Sequence, residues 1–275
     1  MNYRHAFHAG NFADCLKHAL LVWIVRALGR KPAPFRVLDT HAGAGAYDLE
    51  SEEARRGGEW QAGVGRLLDL ADGPLADYAA LARAAGAPSR YPGSPALVRA
   101  LLRPDDRLAC VELHPAEHAA LRSRFGADPQ VAVHRRDGWE ALRALTPFPE
   151  RRGLVLLDPP FEQPGEFERL AAGMALVSRR FRGAVQAAWY PVKHRAPVRA
   201  FHAGIEASGL RDAVAAELWL REPTDPARLN GCGLLVVNPP WGFEEAARDT
   251  LAALLDRLGE GEPGQGWAVS RLTEE

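Results

Sequence analysis

The sequence predicts an α/β protein built around a mainly parallel β-sheet. Short runs of β-branched or apolar residues end in polar residues, and stretches with helical periodicity separate them, which is the pattern of β-α-β units. No repeat of roughly 20 to 50 residues is present, so solenoids and propellers are excluded. The predicted strands cover residues 35–39, 107–112, 131–137, 153–158, 183–190 and 233–238.

Three later segments carry the spacing of crossover helices. Residues 164–180 place apolar side chains three and four positions apart, which gives one buried helical face. Residues 198–208 form a second predicted helix, followed by Gly209 where a C-terminal cap belongs. Residues 243–258 form the last long helix, after which Gly and Pro residues break the pattern and a short tail follows.

One interval is too long for a simple crossover. The predicted strand ends at Asp39 and Glu112 lie 73 positions apart, whereas a crossover needs only a few dozen residues. We predict one domain over residues 1–275 with a small, mostly helical subdomain inserted at about residues 48–90. A decorated crossover with no function of its own is the alternative.

Composition limits the class of protein. The 275 residues are 47% hydrophobic and 25% charged, which is typical of a soluble globular protein. With 34 Lys and Arg against 35 Asp and Glu, the formal charge is -1, so any nucleic-acid surface must be local. The longest notable apolar run, residues 19–25, is far too short to span a membrane, and the residues before it do not resemble a signal peptide.

The cysteines and histidines predict no metal site. Cys15, Cys110 and Cys232 are odd in number and widely spaced, so they indicate neither a disulfide framework nor a zinc site. His5 and His8 lack Cys or carboxylate partners at a ligand spacing. A cytoplasmic protein with no bound metal is therefore expected.

A glycine turn follows the first strand. In residues 37–47, VLDTHAGAGAY, Gly43 and Gly45 let the backbone pass close to a nucleotide-like ligand. A dinucleotide motif would need a third glycine where Asp48 stands, and its carboxylate disfavours a pyrophosphate. With Asp39 just before the turn, the chemistry suits a cationic ligand such as S-adenosylmethionine. A turn without a ligand is the alternative.

Two acids close the next strands. Glu112 is placed to accept hydrogen bonds from both ribose hydroxyls of a bound nucleoside, and Asp137 from the exocyclic amine of its adenine. Each acid is alternatively a helix N-cap or a solvated strand end.

The motif LVLLDPPF, residues 154–161, delivers Asp158 at the end of an apolar strand. Asp158 and the Pro159 carbonyl offer acceptors for both N–H groups of an aryl amine, and Phe161 offers a face on which a base stacks. The alternative is a Pro-Pro stop after a buried strand. NPPW at residues 238–241 repeats the pattern at a late strand, and we predict that this copy is structural.

The amino terminus, residues 3–18, is rich in aromatic and basic side chains and then enters a helix, with Asn11 as the predicted N-cap. A base-stacking or phosphate-binding arm is favoured over a helix-capping tail. Basic and aromatic residues also alternate in residues 178–182 and 189–202, a pattern that fits binding to unpaired nucleotides.

Taken together, these motifs resemble the bacterial 23S rRNA adenine-N6 methyltransferase family RlmJ. The resemblance covers nearly the whole chain, and its distinctive part is the N-terminal block together with YPGSP. The matching motifs are YRHxFHAGN, DTHAGAG, YPGSP, ELHP, RxDG and DPPF.

The resemblance implies a Rossmann-like class I methyltransferase fold with S-adenosyl-L-methionine as cofactor. By motif, Asp158 is the catalytic acceptor, acting with Pro159 and Phe161, and Tyr3 touches the substrate RNA. Ser94 has an alternative role as the N-cap before Pro95. Phe161 stands where tyrosine is commoner, so activity is expected without that hydroxyl. The implied cofactor pocket contains His18, His41, Ser94, Glu112, Asp137, Gly138 and Asp158.

We therefore expect methyl transfer to N6 of an adenine in 23S rRNA, on protein-free RNA or an early assembly intermediate, by a monomer. Methylation of DNA adenine or of rRNA guanine N2 is an alternative within the same reaction class. A nicotinamide-dependent oxidoreductase and a non-catalytic RNA-binding module are alternatives from other classes.

Overall fold

The computed structural model describes residues 5–274, and the Tyr3 prediction lies outside this range. Short 3-10 helices cover His5–Phe7 and Val64–Leu67. The α-helices are α1 (Phe12–Gly29), α2 (Glu52–Gly57), α3 (Glu59–Ala62), α4 (Ala76–Ala84), α5 (Ser94–Leu101), α6 (Pro115–Phe125), α7 (Gly138–Leu145), α8 (Glu166–Arg180), α9 (Arg195–Ala207) and α10 (Phe243–Leu258). The strands are β1 (Arg36–Asp39), β2 (Ala46–Asp48), β3 (Arg90–Pro92), β4 (Arg107–Val111), β5 (Val131–His134), β6 (Gly153–Leu157), β7 (Val185–Val192), β8 (Ala213–Trp219), β9 (Gly231–Val237) and β10 (Gly266–Thr273).

Within the described residues, eight strands form one sheet in the order β10-β8-β9-β7-β6-β1-β4-β5. The strands from β5 across to β7 are parallel. Their order is that of a Rossmann-like fold, with β1 and β6 adjacent where the strand order reverses. The predicted α/β fold with a mainly parallel sheet is confirmed.

The far side of the sheet is antiparallel, which the sequence pattern did not predict. Strand β9 runs antiparallel to β7 and β8, and β10 runs antiparallel to β8. Strand β8 is rich in alanine, a residue depleted in strands, so its sequence gives little β signal. Strand β10 follows the Gly- and Pro-rich break, where the sequence pattern predicts only a short tail. Cross-strand pairing stabilises both segments.

Helices cover both faces of the sheet, which explains why the strands are apolar without alternation. On β1, Val37 packs into the core beneath α1 and α10, whereas Leu38 packs into the core beneath α7, α8 and α9. Among helices in residues 5–274, none is long and apolar enough to cross a membrane.

The helix predictions are confirmed within a few residues at their ends. Helix α8 begins at Glu166 rather than Pro164, after Gly165 in the left-handed region. Helix α9 begins at Arg195, and Gly209 with φ of 75° lies just beyond its end. Asn11 caps α1 as predicted, because its side-chain oxygen accepts from the N–H groups of Ala13 and Asp14 at 3.0 Å.

The long interval between β1 and β4 contains the expected helices. Helices α2, α3 and α4 lie within residues 48–90, and the short antiparallel pair β2 and β3 joins the two ends of this segment. Helix α5 then leads to β4 as the crossover helix. That residues 48–90 form a subdomain within one domain stays a prediction.

Candidate active site

The carboxyl ends of β1, β4, β5 and β6 meet at one edge of the sheet because these strands are parallel neighbours. A cavity of about 1090 Å³ opens there. Every predicted site residue within the described range lines it. These residues are His18, His41, Ser94, Glu112, Asp137, Gly138, Asp158, Pro159 and Phe161. Their individual roles stay predictions.

The turn after β1 borders the cavity through residues 40–43. Gly43 has a φ of 58°, and a Cβ there would lie 2.2 Å from the Tyr47 hydroxyl oxygen, so glycine is required. Its N–H donates to Glu112 Oε2 at 2.9 Å, which ties the turn to the end of β4. Gly45 instead packs against Phe125 and does not line the cavity.

Asp39 does not reach the cavity, contrary to the expectation that it faces a cationic ligand. It is fully buried and accepts a hydrogen bond from Ser94 Oγ at 2.6 Å. Gly93, not Ser94, is the N-cap of α5, so the capping alternative for Ser94 is wrong. Ser94 lies at the cavity wall and holds the buried acid behind it.

Burial raises the pKa of Asp39 to about 7, and the hydrogen bond from Ser94 opposes this shift. The unfolded protein ionises Asp39 at a lower pH than the folded protein does. The free energy of unfolding therefore falls as the pH rises from the ordinary pKa of an aspartate toward the folded-state pKa of about 7. We therefore expect Asp39→Asn to stabilise the protein by about 2–3 kcal/mol more at pH 8 than at pH 5, relative to the wild type. Urea denaturation at both pH values measures this difference. An equal effect of the substitution at both would contradict it.

The carboxylates of Glu112 and Asp137 both accept hydrogen bonds from backbone N–H groups. Glu112 Oε1 accepts the His114 N–H at 2.7 Å, and burial raises the pKa of Glu112 although three backbone donors, on His114, Gly43 and Leu113, oppose the shift. Asp137 caps α7 by accepting the N–H groups of Trp139 and Glu140, as its alternative interpretation predicted. It also lines the cavity, and both cap hydrogen bonds are made by its Oδ1 atom.

Gly138 allows two loops to meet. A Cβ at this position would lie 2.3 Å from the Thr40 carbonyl oxygen and 2.9 Å from the His41 ring. Helix α7 therefore starts in contact with the turn after β1. Any larger residue would push the start of α7 away from this turn.

Two cavity histidines are kept neutral by burial. Burial lowers the pKa of His41 to about 4 and that of His18 to about 3. His18 Nδ1 lies 2.6 Å from the hydroxyl of Tyr91, which belongs to the YPGSP motif. The YPGSP motif therefore contacts α1 through Tyr91 and also places Ser94 at the cavity wall.

Asp158 is part of an ion-pair network that the sequence did not predict. Lys17 Nζ donates to Asp158 Oδ2 at 2.6 Å and also lies 2.9 Å from Asp14 Oδ1. Burial alone would lower the pKa of Lys17, but the two carboxylates outweigh it and raise this pKa well above its usual value. Lys17 thus fixes one oxygen of Asp158, and no residue from 5 to 274 donates a hydrogen bond to the other oxygen, which can accept one.

A signal for this network exists in the sequence. Asp14, Lys17 and His18 recur at helical spacing on the face of α1 that continues into buried leucines. Charged residues on a buried face are rarely without paired partners. The partner of Lys17 lies 141 positions away, so the pair itself is visible only in the fold.

The DPPF turn holds Phe161 in an unusual conformation. Phe161 has a φ of 51°, in the left-handed region that non-glycine residues seldom adopt. Its ring centroid lies 4.9 Å from that of Phe167 and 5.9 Å from that of Trp189, both in edge contacts. The turn therefore presents the ring at the cavity wall in a fixed orientation.

The NPPW copy lies elsewhere. The Asn238 side chain donates to the carbonyls of Arg182 and Ala184 at 2.8 Å, and Trp241 is 92% exposed. None of residues 238–241 lines the cavity, in agreement with the structural interpretation. Residues 178–182 end α8 beside this turn, away from the site, whereas Trp189 and Lys193 do line the cavity.

The cavity has the polar features of a ligand site. Four cavity-lining residues have a buried polar atom that lacks a hydrogen-bond partner within the described chain: His18, His114, Glu117 and Trp189. Such atoms are costly unless a ligand or water satisfies them. Together with the two neutral histidines and the carboxylates, they fit a nucleoside cofactor with a charged amino-acid part. No three His, Cys, Asp or Glu side chains in residues 5–274 are grouped to hold a metal ion.

The fold and this site define a Rossmann-like methyltransferase of the Asp-Pro-Pro-aromatic type. The family model described as ribosomal RNA large subunit methyltransferase D, RlmJ, matches residues 32–272. The chain belongs to this family, and the resemblance found in its motifs is confirmed.

Two relatives are similar to this chain over nearly its whole length. Ribosomal RNA large subunit methyltransferase J of Escherichia coli (strain K12) is 39% identical over 98% of this chain and 99% of that protein. The protein of the same name from Haemophilus influenzae is 37% identical over 100% of both chains. Among solved structures, protein LPL1258 of Legionella pneumophila is similar with a TM-score of 0.87 and 30% identity, covering 96% of this chain and 98% of that one.

Proposed function

We propose that this protein transfers a methyl group from S-adenosyl-L-methionine to N6 of an adenine in 23S rRNA. The observation that carries the proposal is the position of Asp158. It stands beside the turn after β1 in one shared cavity and is followed by a rigid Pro-Pro-Phe turn. Relatives that match the full length are named as ribosomal RNA large subunit methyltransferases.

S-adenosyl-L-methionine supplies an electrophilic methyl group on a sulfonium. In our proposal Glu112 holds the ribose hydroxyls, Asp137 and Gly138 border the adenine, and Ser94 and His18 bind the amino-acid part. His41 closes the wall beside Trp139, with ring centroids 5.4 Å apart. The neutral state of both histidines suits this role, because it adds no positive charge beside a cationic cofactor.

The target base is proposed to stack on Phe161 after leaving its helix. Asp158 and the Pro159 carbonyl then accept the two N–H groups of the exocyclic amine, which directs its nitrogen lone pair toward the methyl group. In-line attack depends on alignment more than on a strong base. The ion pair with Lys17 fixes the Asp158 carboxylate in this alignment, and Asp158 takes the amine proton late.

The turn after β1 argues against a nicotinamide dinucleotide. It leads into strand β2 and not into a helix, so no helix N-terminus is offered to a pyrophosphate at this point. A thermal-shift comparison of S-adenosylhomocysteine with NAD checks this, since only a bound ligand stabilises the folded state. Stabilisation by NAD alone would contradict the proposal.

The direct test is methyl incorporation from labelled cofactor into protein-free 23S rRNA, followed by mapping of the modified base. We expect a single N6-methyladenosine. Incorporation into duplex DNA, or at guanine N2, would favour the alternative substrates of the same reaction class. RNA binding without incorporation would favour a non-catalytic module.

Finer features of the substrate and setting belong to the same proposal. We propose that protein-free rRNA or an early assembly intermediate is the substrate and that the enzyme acts as a monomer in the cytoplasm. Comparing protein-free rRNA with the isolated large subunit tests the first statement, and light scattering of the purified protein tests the second. Efficient modification of the mature subunit would contradict this choice of substrate.

A further inference from the structure

The segment at residues 48–90 touches the cavity at one place. Of the residues that line the cavity, only Glu59 and Ala62 come from this segment, and both lie on α3. The other helices of the segment lie outside the cavity wall. The direct contribution of the segment to the cavity wall is therefore made by α3.

Helix α3 and its neighbours contact the N-terminal segment, which we define as residues 5–11. The Val64 N–H donates to the Gly10 carbonyl at 2.8 Å. A Cβ at Gly63 would lie 2.1 Å from that same carbonyl oxygen, and a Cβ at Gly57 would lie 2.2 Å from the Phe7 carbonyl oxygen. The two backbones thus approach each other closely at two separate points.

Glu59 joins both ends of the turn in the N-terminal segment. Its Oε1 lies 2.9 Å from His8 Nδ1, and its Oε2 accepts from Asn11 Nδ2 at 2.8 Å. The hydrogen bond to Glu59 raises the pKa of His8, although burial opposes the shift. Carboxylate acceptors of this kind make stronger hydrogen bonds than neutral ones.

We propose that Glu59 is a positioning residue that holds the N-terminal segment against the cavity so that this segment contacts the substrate RNA. The proposal rests on the proposed function. The segment lines the cavity through His5, His8 and Asn11. On this view, residues 48–90 are more than a decorated crossover, because they anchor one wall of the substrate entrance.

Loss of the Glu59 side chain should affect the N-terminal segment and leave α1 in place. Asn11 caps α1 through its Oδ1, an atom that Glu59 does not contact, so α1 keeps its N-cap when Glu59 is lost. The ion pair between Lys17 and Asp158 then stays in place. Loss of Glu59 should weaken use of RNA and leave both cofactor binding and the reacting centre unchanged.

The test uses Glu59→Ala in the full-length protein, with Glu52→Ala as the matched control. Glu52 lies in the same segment, carries the same charge and pairs with Arg56 on the exposed face of α2. For Glu59→Ala we expect KM for rRNA to rise by about tenfold, the effect of losing about one charged hydrogen bond. The kcat and the affinity for S-adenosylhomocysteine should match the wild type. Hydrogen exchange in residues 5–11 should become faster. Glu52→Ala should change none of these quantities.

Glu59→Gln keeps the side-chain shape and one acceptor oxygen, so its KM should fall between those of the wild type and Glu59→Ala. An unchanged KM for Glu59→Ala, or losses in kcat and cofactor affinity as large as the change in KM, would overturn the proposal. If wild-type protein methylates no rRNA, the proposed function fails. Hydrogen exchange then still decides whether Glu59 holds the N-terminal segment.

Discussion

Asp158→Ala should lose methyl transfer and keep cofactor binding. The substitution removes the acceptor that directs the amine, and loss of one such transition-state hydrogen bond costs about 10²- to 10³-fold in kcat. Lys17 keeps its ion pair with Asp14 in this variant, so α1 should stay in place. Methyl incorporation at saturating rRNA and cofactor gives kcat, and calorimetric titration with S-adenosylhomocysteine gives the cofactor affinity.

Asp158→Asn separates acceptor chemistry from side-chain shape. The amide keeps one oxygen, which Lys17 Nζ engages, and turns a donor NH₂ group toward the substrate amine, which is itself a donor. We therefore expect Asp158→Asn to be nearly as inactive as Asp158→Ala. Retained turnover in either variant would show that the role assigned to Asp158 is wrong. Loss of cofactor affinity equal to the loss of kcat would assign Asp158 to the cofactor instead.

The second Asp/Asn-Pro-Pro-aromatic copy supplies a control. Trp241 occupies the place that corresponds to Phe161, but it is exposed and lies away from the cavity. Trp241→Ala should therefore leave kcat and KM unchanged. A loss of activity in this variant would mean that the NPPW turn takes part in substrate binding.

The parallel half of the fold was predictable because its strands are buried on both faces and end in polar residues. Strands such as β6 give a continuous apolar signal that ends at Asp158. The antiparallel strands β8 and β10 gave no comparable signal, because cross-strand pairing and not composition stabilises them.

The site was predictable where chemistry follows directly from a strand end. Glu112, Asp137 and Asp158 follow parallel strands, and topology alone brings them to one edge. The sequence could not show which atoms are already occupied. Asp39 binds Ser94 and is buried behind it, and Lys17 reaches Asp158 across 141 positions. Such pairings depend on helix packing, which periodicity does not specify.

Replacing Lys17 by methionine should both destabilise the protein and reduce its activity. Lys17 is 6% exposed and lies between Asp14, which is 2% exposed, and Asp158. Methionine keeps the length of the side chain but leaves two carboxylates without their shared cation. Removing one partner of a buried ion pair costs about 3–5 kcal/mol. Urea denaturation measures this loss, and the methylation assay measures the accompanying loss of Asp158 alignment.

Arg26→Ala is the matched control because it breaks an ion pair on the same helix at the surface. Arg26 and Asp77 are 54% and 45% exposed, and such pairs contribute less than about 1 kcal/mol. In Lys17→Met, Asp14 still has the His5 ring and the Gly10 N–H as hydrogen-bond partners at 2.9 Å. Adding Asp14→Asn should nevertheless recover part of the lost stability, because it removes one of the two buried negative charges that shared Lys17. If Lys17→Met costs no more than Arg26→Ala, or if Asp14→Asn lowers stability further in the double variant, the buried cation does not hold these carboxylates together. The fixed orientation of Asp158 would then need another source.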